Sequence, residues 1–177
     1  MDFEIVHGGP ADAMRAAKLH AESWKTAYRG IVSDNYLDTQ CDADRAEKWT
    51  ARMAAWNPAR SLLLFARAAN GADLGFACAL LDADPAHGVL LDNLHVRPAL
   101  KRGGVGRALI VEVGQWVAAT APGTPMHLTV YRDNSIAMAF YRRMGGVEHD
   151  AGMEHFKDGT SAPIARFVWA EPGKIAG

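Results

Sequence analysis

Apolar positions change their period twice along this chain. Phe3 to Val6 predicts a short strand, broken by Gly8-Gly9-Pro10 before a helix in which Pro10 is tolerated in the first turn. Ala13, Met14, Ala17, Leu19, Ala21 and Trp24 give that helix a broad apolar side. A break at Tyr28-Arg29-Gly30 leads into a second helical region, with Asp42 or Asp44 as its cap, running through Arg45, Trp49 and Met53 to a stop at Asn57-Pro58. Beyond Pro58 the period shortens. Residues 61–66 and 74–81 are near-continuous apolar runs on either side of Asn70-Gly71, which predicts a hairpin. After the loop 82–88, a further strand ends near Val96. Val105, Leu109, Val113, Trp116 and Val117 then recur at helical spacing until Pro122-Gly123, and Met126, Leu128 and Val130 alternate as a strand.

Strand, crossover helix and strand in succession imply a parallel pair, whereas the hairpin before them is antiparallel. Asp133 or Asn134 caps the next helix, with Ile136, Ala139, Phe140 and Met144 on one face, and Gly145-Gly146 ends it in the left-handed conformation. A strand from Ile164 to Trp169 closes the pattern. The expected fold is an α/β domain around a mixed sheet with helices on both faces. At 177 residues the chain fits one domain, 1–177.

The densest chemical signal follows the strand ending at Val96. Arg97-Pro98 leads into Lys101-Arg102-Gly103-Gly104-Val105-Gly106-Arg107, with three glycines in four residues and three cations around them. Glycine removes side chains where the backbone bends, and leaves amides free to face an anion beside the positive end of the following helix. The spacing excludes a mononucleotide P-loop, which needs Gly-x-x-x-x-Gly-Lys-Ser/Thr. A dinucleotide fingerprint is weak, because Leu109 stands where the third glycine belongs and no acidic residue follows about twenty positions on.

Val96-Arg97-Pro98 followed by the glycine loop resembles the acyl-CoA-binding motif of the GCN5-related N-acetyltransferases (GNAT). Lys101 departs from the Gln or Arg usual at its position. A second block, residues 130–146, is similar to the family's other signature: Asn134 opens a helix that carries Phe140-Tyr141 and ends in glycine. The resemblance implies a mixed, mostly antiparallel sheet with a central splayed parallel pair, and acetyl-CoA as cosubstrate. It places Leu94, His95 and Val96 along the pantetheine, and Arg102, Gly103, Gly104, Val105, Gly106 and Arg107 around the pyrophosphate. Asn134, Ala137, Phe140 and Tyr141 line the same arm. It further implies Tyr141 as general acid toward the departing thiolate, Asp92 as base toward the amine, and a backbone N–H near Leu94 or His95 as oxyanion donor.

Read from the residues alone, the base stays open between Asp92 and His95. An imidazole with a reference value of about 6.5 suits proton abstraction. Regular strand alternation sets the two on opposite faces, and a bulge changes that. Trp24, Tyr28, Tyr36, Trp49 and Trp56 concentrate aromatics in the first third, as an acceptor pocket or as core. The other histidines show no ligand spacing, so no metal is expected.

A net charge of −1 gives no global attraction to nucleic acid or anionic membrane. Cys41 and Cys78, far apart in sequence, read as buried free thiols. The N-terminus lacks a basic segment and an apolar core, and no run reaches the roughly 18 apolar residues of a spanning helix. A cytoplasmic enzyme is expected, with a small-molecule or peptide amine as acceptor. Its macromolecular partners are at most a second copy of itself, with no nucleic acid and no membrane. A module that binds acyl-CoA without turnover is the alternative.

Overall fold

The computed structural model describes residues 2–100, 103–156 and 159–176. The chain runs β1 (Phe3–His7), α1 (Ala13–Ala27), α2 (Asp34–Thr39), α3 (Cys41–Ala54), β2 (Ser61–Ala68), β3 (Asp73–Asp84), β4 (Gly88–Val96), α4 (Val105–Thr120), β5 (Met126–Tyr131), α5 (Ser135–Arg143), β6 (Val147–His155) and β7 (Ser161–Trp169). One sheet takes all seven strands in the order β1-β2-β3-β4-β5-β7-β6. The pairings are antiparallel except that between β4 and β5, which is parallel.

Both faces of the sheet are covered where the sequence is continuously apolar. In β2, Leu62, Leu64 and Ala66 point into the cluster beneath α4, and Leu63 and Phe65 into the cluster beneath α1 and α3. A strand buried on both faces reads as an unbroken apolar run, as residues 61–66 do. The α4 layer is built on Val105, Leu109, Ile110, Val113 and Val117; the opposite layer rests on Ala16, Ala17, Leu19, Trp49 and Met53. Trp49 is therefore core, and no part of a pocket wall.

Several expectations are corrected by packing. The second helical region is two helices, and Gln40 rather than Asp42 or Asp44 precedes the longer one. The two aspartates lie in its first turn, where a carboxylate faces the positive end of the helix dipole. In α5 the side against the sheet is Met138 and Tyr141, whereas Ile136 is 67% exposed. Strand β6 carries no apolar alternation because all but one of its nine residues are exposed at the edge of the sheet. Its partner β7 begins at Ser161, ahead of Pro163, a residue that argues against a central strand.

Gly114 sits inside α4, where glycine ordinarily costs about 1 kcal/mol against alanine. A Cβ there would lie 2.3 Å from the Pro172 carbonyl oxygen, so the C-terminal turn can approach only a bare backbone. Gly114→Ala, which would stabilise an open helix, is expected to cost about 2 kcal/mol here and lower the melting temperature by roughly 5 °C. Calorimetry checks it; an unchanged or raised temperature refutes the contact.

Candidate functional site

Strands β4 and β5 pair over only two positions, Val89 with Met126 and Leu90 with His127. Beyond Leu90 they diverge, and the main chain of β4 keeps an edge with no strand beside it. Hydrogen bonding to β3 decides which groups point there. The Arg97 N–H donates to the Leu74 carbonyl, which sets the phase of the antiparallel ladder. By alternation His95 bonds with Phe76 across β3, whereas Leu94 and Val96 turn their N–H and C=O toward the gap. This corrects one expectation: Leu94 and Val96 offer main-chain groups to a ligand in the gap, and the His95 main chain is engaged by β3.

The register of β4 on β3 slips between Cys78–Asn93 and Ala79–Leu91, leaving Asp92 without an opposite residue. An extra residue in one strand reverses the alternation across it. Asp92 and Asn93 both reach Arg52 of α3, at 2.7 and 3.4 Å, and His95 also faces the α1 side. The bulge thus puts Asp92 and His95 on the same face, while Leu94 and Val96 pack toward α4.

A cavity of about 1020 Å³ fills the gap. At one end it is lined by Gly104, Gly106 and Arg107 of the loop and first turn of α4. Gly104 is the N-cap with φ +83°, a left-handed conformation that glycine adopts without strain. A Cβ on Gly106 would stand 3.5 Å from Phe140 and Val96, filling the space above the helix terminus. The first-turn amides have no carbonyl one turn back, so this end fits an anion. Val105, by contrast, is 1% exposed and belongs to the core; Gly103 is exposed but outside the cavity lining. Arg102 and Lys101 lie outside the described residues.

The side wall comes from α5. Asn134 caps it, its side-chain oxygen accepting the Ala137 N–H at 3.2 Å. Ile136, Ala137, Ala139, Phe140 and Met144 line the cavity, so most of the apolar face read from periodicity exists but faces the gap. Tyr141 reaches the lining from the core side, packed against Phe167 and Trp169 with ring centroids 5.8 and 6.0 Å away. Burial raises its hydroxyl well above the usual phenol value, so it carries its proton at neutral pH.

The far end of the cavity lies against α1 and meets Ser23, Ala27, Tyr28, Asp92 and His95. Tyr28 is wedged edge-on between Trp24 and Tyr131, with centroids 4.8 and 4.9 Å away, and burial pushes its phenol up to about 12. Nothing in the sequence singles out Ser23, or Arg143 at the α5 wall, since a lone serine and a helix-end arginine carry no period or spacing. Arg52 stands in the last turn of α3 and reads from sequence as a surface cation, yet only 15% of its side chain is exposed. Its guanidinium is ion-paired with the Asp92 carboxylate at this end of the cavity.

Two histidines outside the lining are held neutral. His20 accepts the Trp49 indole N–H at 3.1 Å, and burial, then its neighbour His95 and the cations of α3, push its value far down. His127 is driven to about 4 by burial and by Arg166, whose guanidinium donates to Nδ1 at 2.8 Å. No group of His, Cys, Asp and Glu that could hold a metal occurs among the described residues. No helix among them is long and apolar enough to cross a membrane.

Residues 22–146 match the model of the Acetyltransferase (GNAT) family. Among solved structures the chain is similar to the PaiA N-acetyltransferase of Thermoplasma acidophilum in complex with coenzyme A: TM-score 0.73, 23% identity, over 93% of this chain and 98% of that one. It is similar to YncA from Salmonella typhimurium with acetyl-CoA, at TM-score 0.68 and 15% identity over 96% and 94% of the two chains. The spermidine/spermine N-acetyltransferase SpeG of Vibrio cholerae aligns at TM-score 0.64 and 14% identity, over 96% and 95%. At these identities the structures establish the fold. No curated protein matches the chain.

The neutral histidines set a pH dependence of stability. A histidine whose folded value lies below its unfolded value of about 6.5 binds more protons when unfolded, so stability is complete above that value and drains as pH falls toward the folded one. Unfolding free energy from urea titrations is expected to fall between about pH 7 and pH 4, and His127→Gln to flatten part of that slope. A flat profile across this window in the parent protein refutes the neutral assignment.

Proposed function

The chain belongs to the acetyltransferase (GNAT) family, and from that premise we propose that it transfers the acetyl group of acetyl-CoA to a primary amine of a small molecule or peptide, by direct attack within a ternary complex, as one acyltransferase domain. The observation that carries this reading is the continuity of one cavity. It joins a glycine-opened helix terminus, an unpaired strand edge, a protonated tyrosine and a polar end that holds Asp92 and His95.

Each part has a separate task. Gly104, Gly106 and Arg107 would take the pyrophosphate, where no side chain intrudes and the helix end favours anions. Leu94 and Val96 would pair with the pantetheine amides along the open edge. Asn134, Ala137 and Phe140 flank that arm. Bound there, acetyl-CoA supplies the thioester. The amine nitrogen attacks its carbonyl carbon, the new C–N bond forms, and the C–S bond breaks. The Leu94 N–H, which turns away from β3 into the gap, would donate to the developing oxyanion. Tyr141 donates its proton to the departing thiolate.

At the acceptor end, Asp92 supplies a negative charge that draws in an alkylammonium. Such a group has an ordinary value near that of lysine, about 10.4, and must lose a proton before it can attack. Tyr28, held in place from behind by Tyr131, lines this end of the cavity, which suits a small acceptor. Spermidine, the acceptor named for SpeG, is a compatible amine.

A panel of primary amines with acetyl-CoA, read as free thiol and as acetylated amine by mass spectrometry, tests the reading. Amine-dependent thiol release is expected; tight acetyl-CoA binding without release from any amine identifies a binding module instead. Gly104→Val forces a branched side chain into a left-handed position and is expected to weaken acetyl-CoA binding at least tenfold in calorimetry while the fold persists. Undiminished affinity removes the helix terminus from the site. Tyr141→Phe removes one hydroxyl and is expected to lower kcat by about 100-fold with acceptor KM little changed. Parental turnover, measured where chemistry limits the rate, would leave the tyrosine a packing residue.

A further inference from the structure

Asp92 and His95 share the acceptor end, and their surroundings differ in the property that matters for a base. The Asp92 carboxylate stands 2.7 Å from the Arg52 guanidinium, itself stacked near Trp49 and enclosed by the Cys78 thiol and Asn93. Removing the charge of this carboxylate would leave Arg52 without its counter-ion at a site where only 15% of the arginine side chain is exposed. His95 has the opposite setting. Its Nδ1 lies 3.0 Å from the Ser23 hydroxyl oxygen, and both residues line the cavity. Its ring stacks on Phe76, centroids 5.4 Å apart, and lies 4.7 Å from that of His20.

Two imidazoles this close do not both become charged. The Trp49 indole N–H fixes His20 Nδ1 as an acceptor, and burial with the cations Arg45, Lys48 and Arg52 of α3 keeps His20 neutral. The pair can therefore take up one proton, and the ring that lines the cavity is the one to hold it. Among the described residues, Asp92 on the same strand and face and the Glu22–Arg97 pair of α1 and the β4 end also carry charge on this side.

We propose that His95, acting through the Ser23 hydroxyl, is the group that receives the proton of the acceptor ammonium, and that Asp92 attracts the cation without taking its proton. The assignment rests on the acetyl-transfer reading above. In the neutral resting state Ser23 donates its hydroxyl hydrogen to His95 Nδ1, and the single N–H of the ring is at Nε2. An ammonium N–H gives its proton to the Ser23 oxygen as the Ser23 hydrogen passes to Nδ1. One N–H bond breaks on the amine and one forms on the ring, the hydroxyl is regenerated, and the amine keeps a lone pair for attack. His95 ends as imidazolium, facing a His20 that stays uncharged. The proton then leaves to solvent as the ring resets.

The test compares the parent with His95→Gln, Ser23→Ala and Asp92→Asn in CoA release from acetyl-CoA, using spermidine and phenethylamine as probes from about pH 5.5 to 9.5. In parallel, nitrogen NMR follows the histidine rings of the CoA-bound proteins. His95→Gln is expected to lower kcat about 100-fold or more and to abolish the acidic limb of kcat/KM, with acetyl-CoA KM within about twofold of the parent. Ser23→Ala should lose less and displace the limb. Asp92→Asn should raise amine KM and keep the limb. In the NMR arm the His95 ring should gain its proton over the same span as the parent's limb, with the neutral form protonated at Nε2, while His20 stays neutral. A limb retained in His95→Gln and lost in Asp92→Asn overturns the proposal, as does a His95 ring that binds no proton across the range. If the parent acetylates neither probe, that loss falls on the acetyl-transfer reading, and the NMR arm alone decides His95.

Discussion

The divergence of β4 from β5 after two paired residues is the constraint on which the rest of this molecule depends. Backbone N–H and C=O groups seek partners, and a parallel neighbour would normally supply them along the whole strand. Here β4 is held on one side by β3, with the ladder running through His95 to Arg97, so its free edge cannot relax by twisting away. The space that opens must be lined by something other than a strand. The first turn of α4 and the face of α5 provide that lining.

Each helix is placed by contacts on its other side. The α4 core row, Val105 to Val117, locks the helix under β2 to β5, which leaves its N-terminus at the mouth of the gap. The bare Gly114 lets the C-terminal turn close down on the same helix from outside. In α5 Met138 and Tyr141 hold the sheet, so Ile136, Ala137 and Phe140 are turned to the cavity. The buried anchoring of Tyr141 also keeps its phenol protonated, because desolvation disfavours its anion. Packing and proton chemistry come from the same aromatic contacts.

The bulge at Asp92 has a comparable reach on the opposite face. One unpaired residue brings Asp92 and His95 to the same side, so that α1 and α3 can address both. Arg52 then commits the carboxylate, and Ser23 commits the imidazole. Two groups that sequence could not rank are given unlike surroundings by helices that arrive from the first third of the chain.

What the sequence determined alone was whatever depends on local spacing: the apolar runs of a doubly buried hairpin, the period of α4, a cap at Asp133 or Asn134, the left-handed Gly145, and a glycine loop whose form fits an anion. Two motifs at family spacing were enough to point to the family. Tertiary structure decided what depends on neighbours distant in the chain. The strand β6 had no apolar pattern to reveal it, because an exposed edge strand buries neither face. The apolar face of α5 was legible, but its destination, the gap and not the core, was not. Ser23, Arg52 and His20 carry no motif; they matter because α1 and α3 lay them against β4. A residue's proton affinity is set by burial and by charges a few ångströms away, and those distances exist only once the chain has folded.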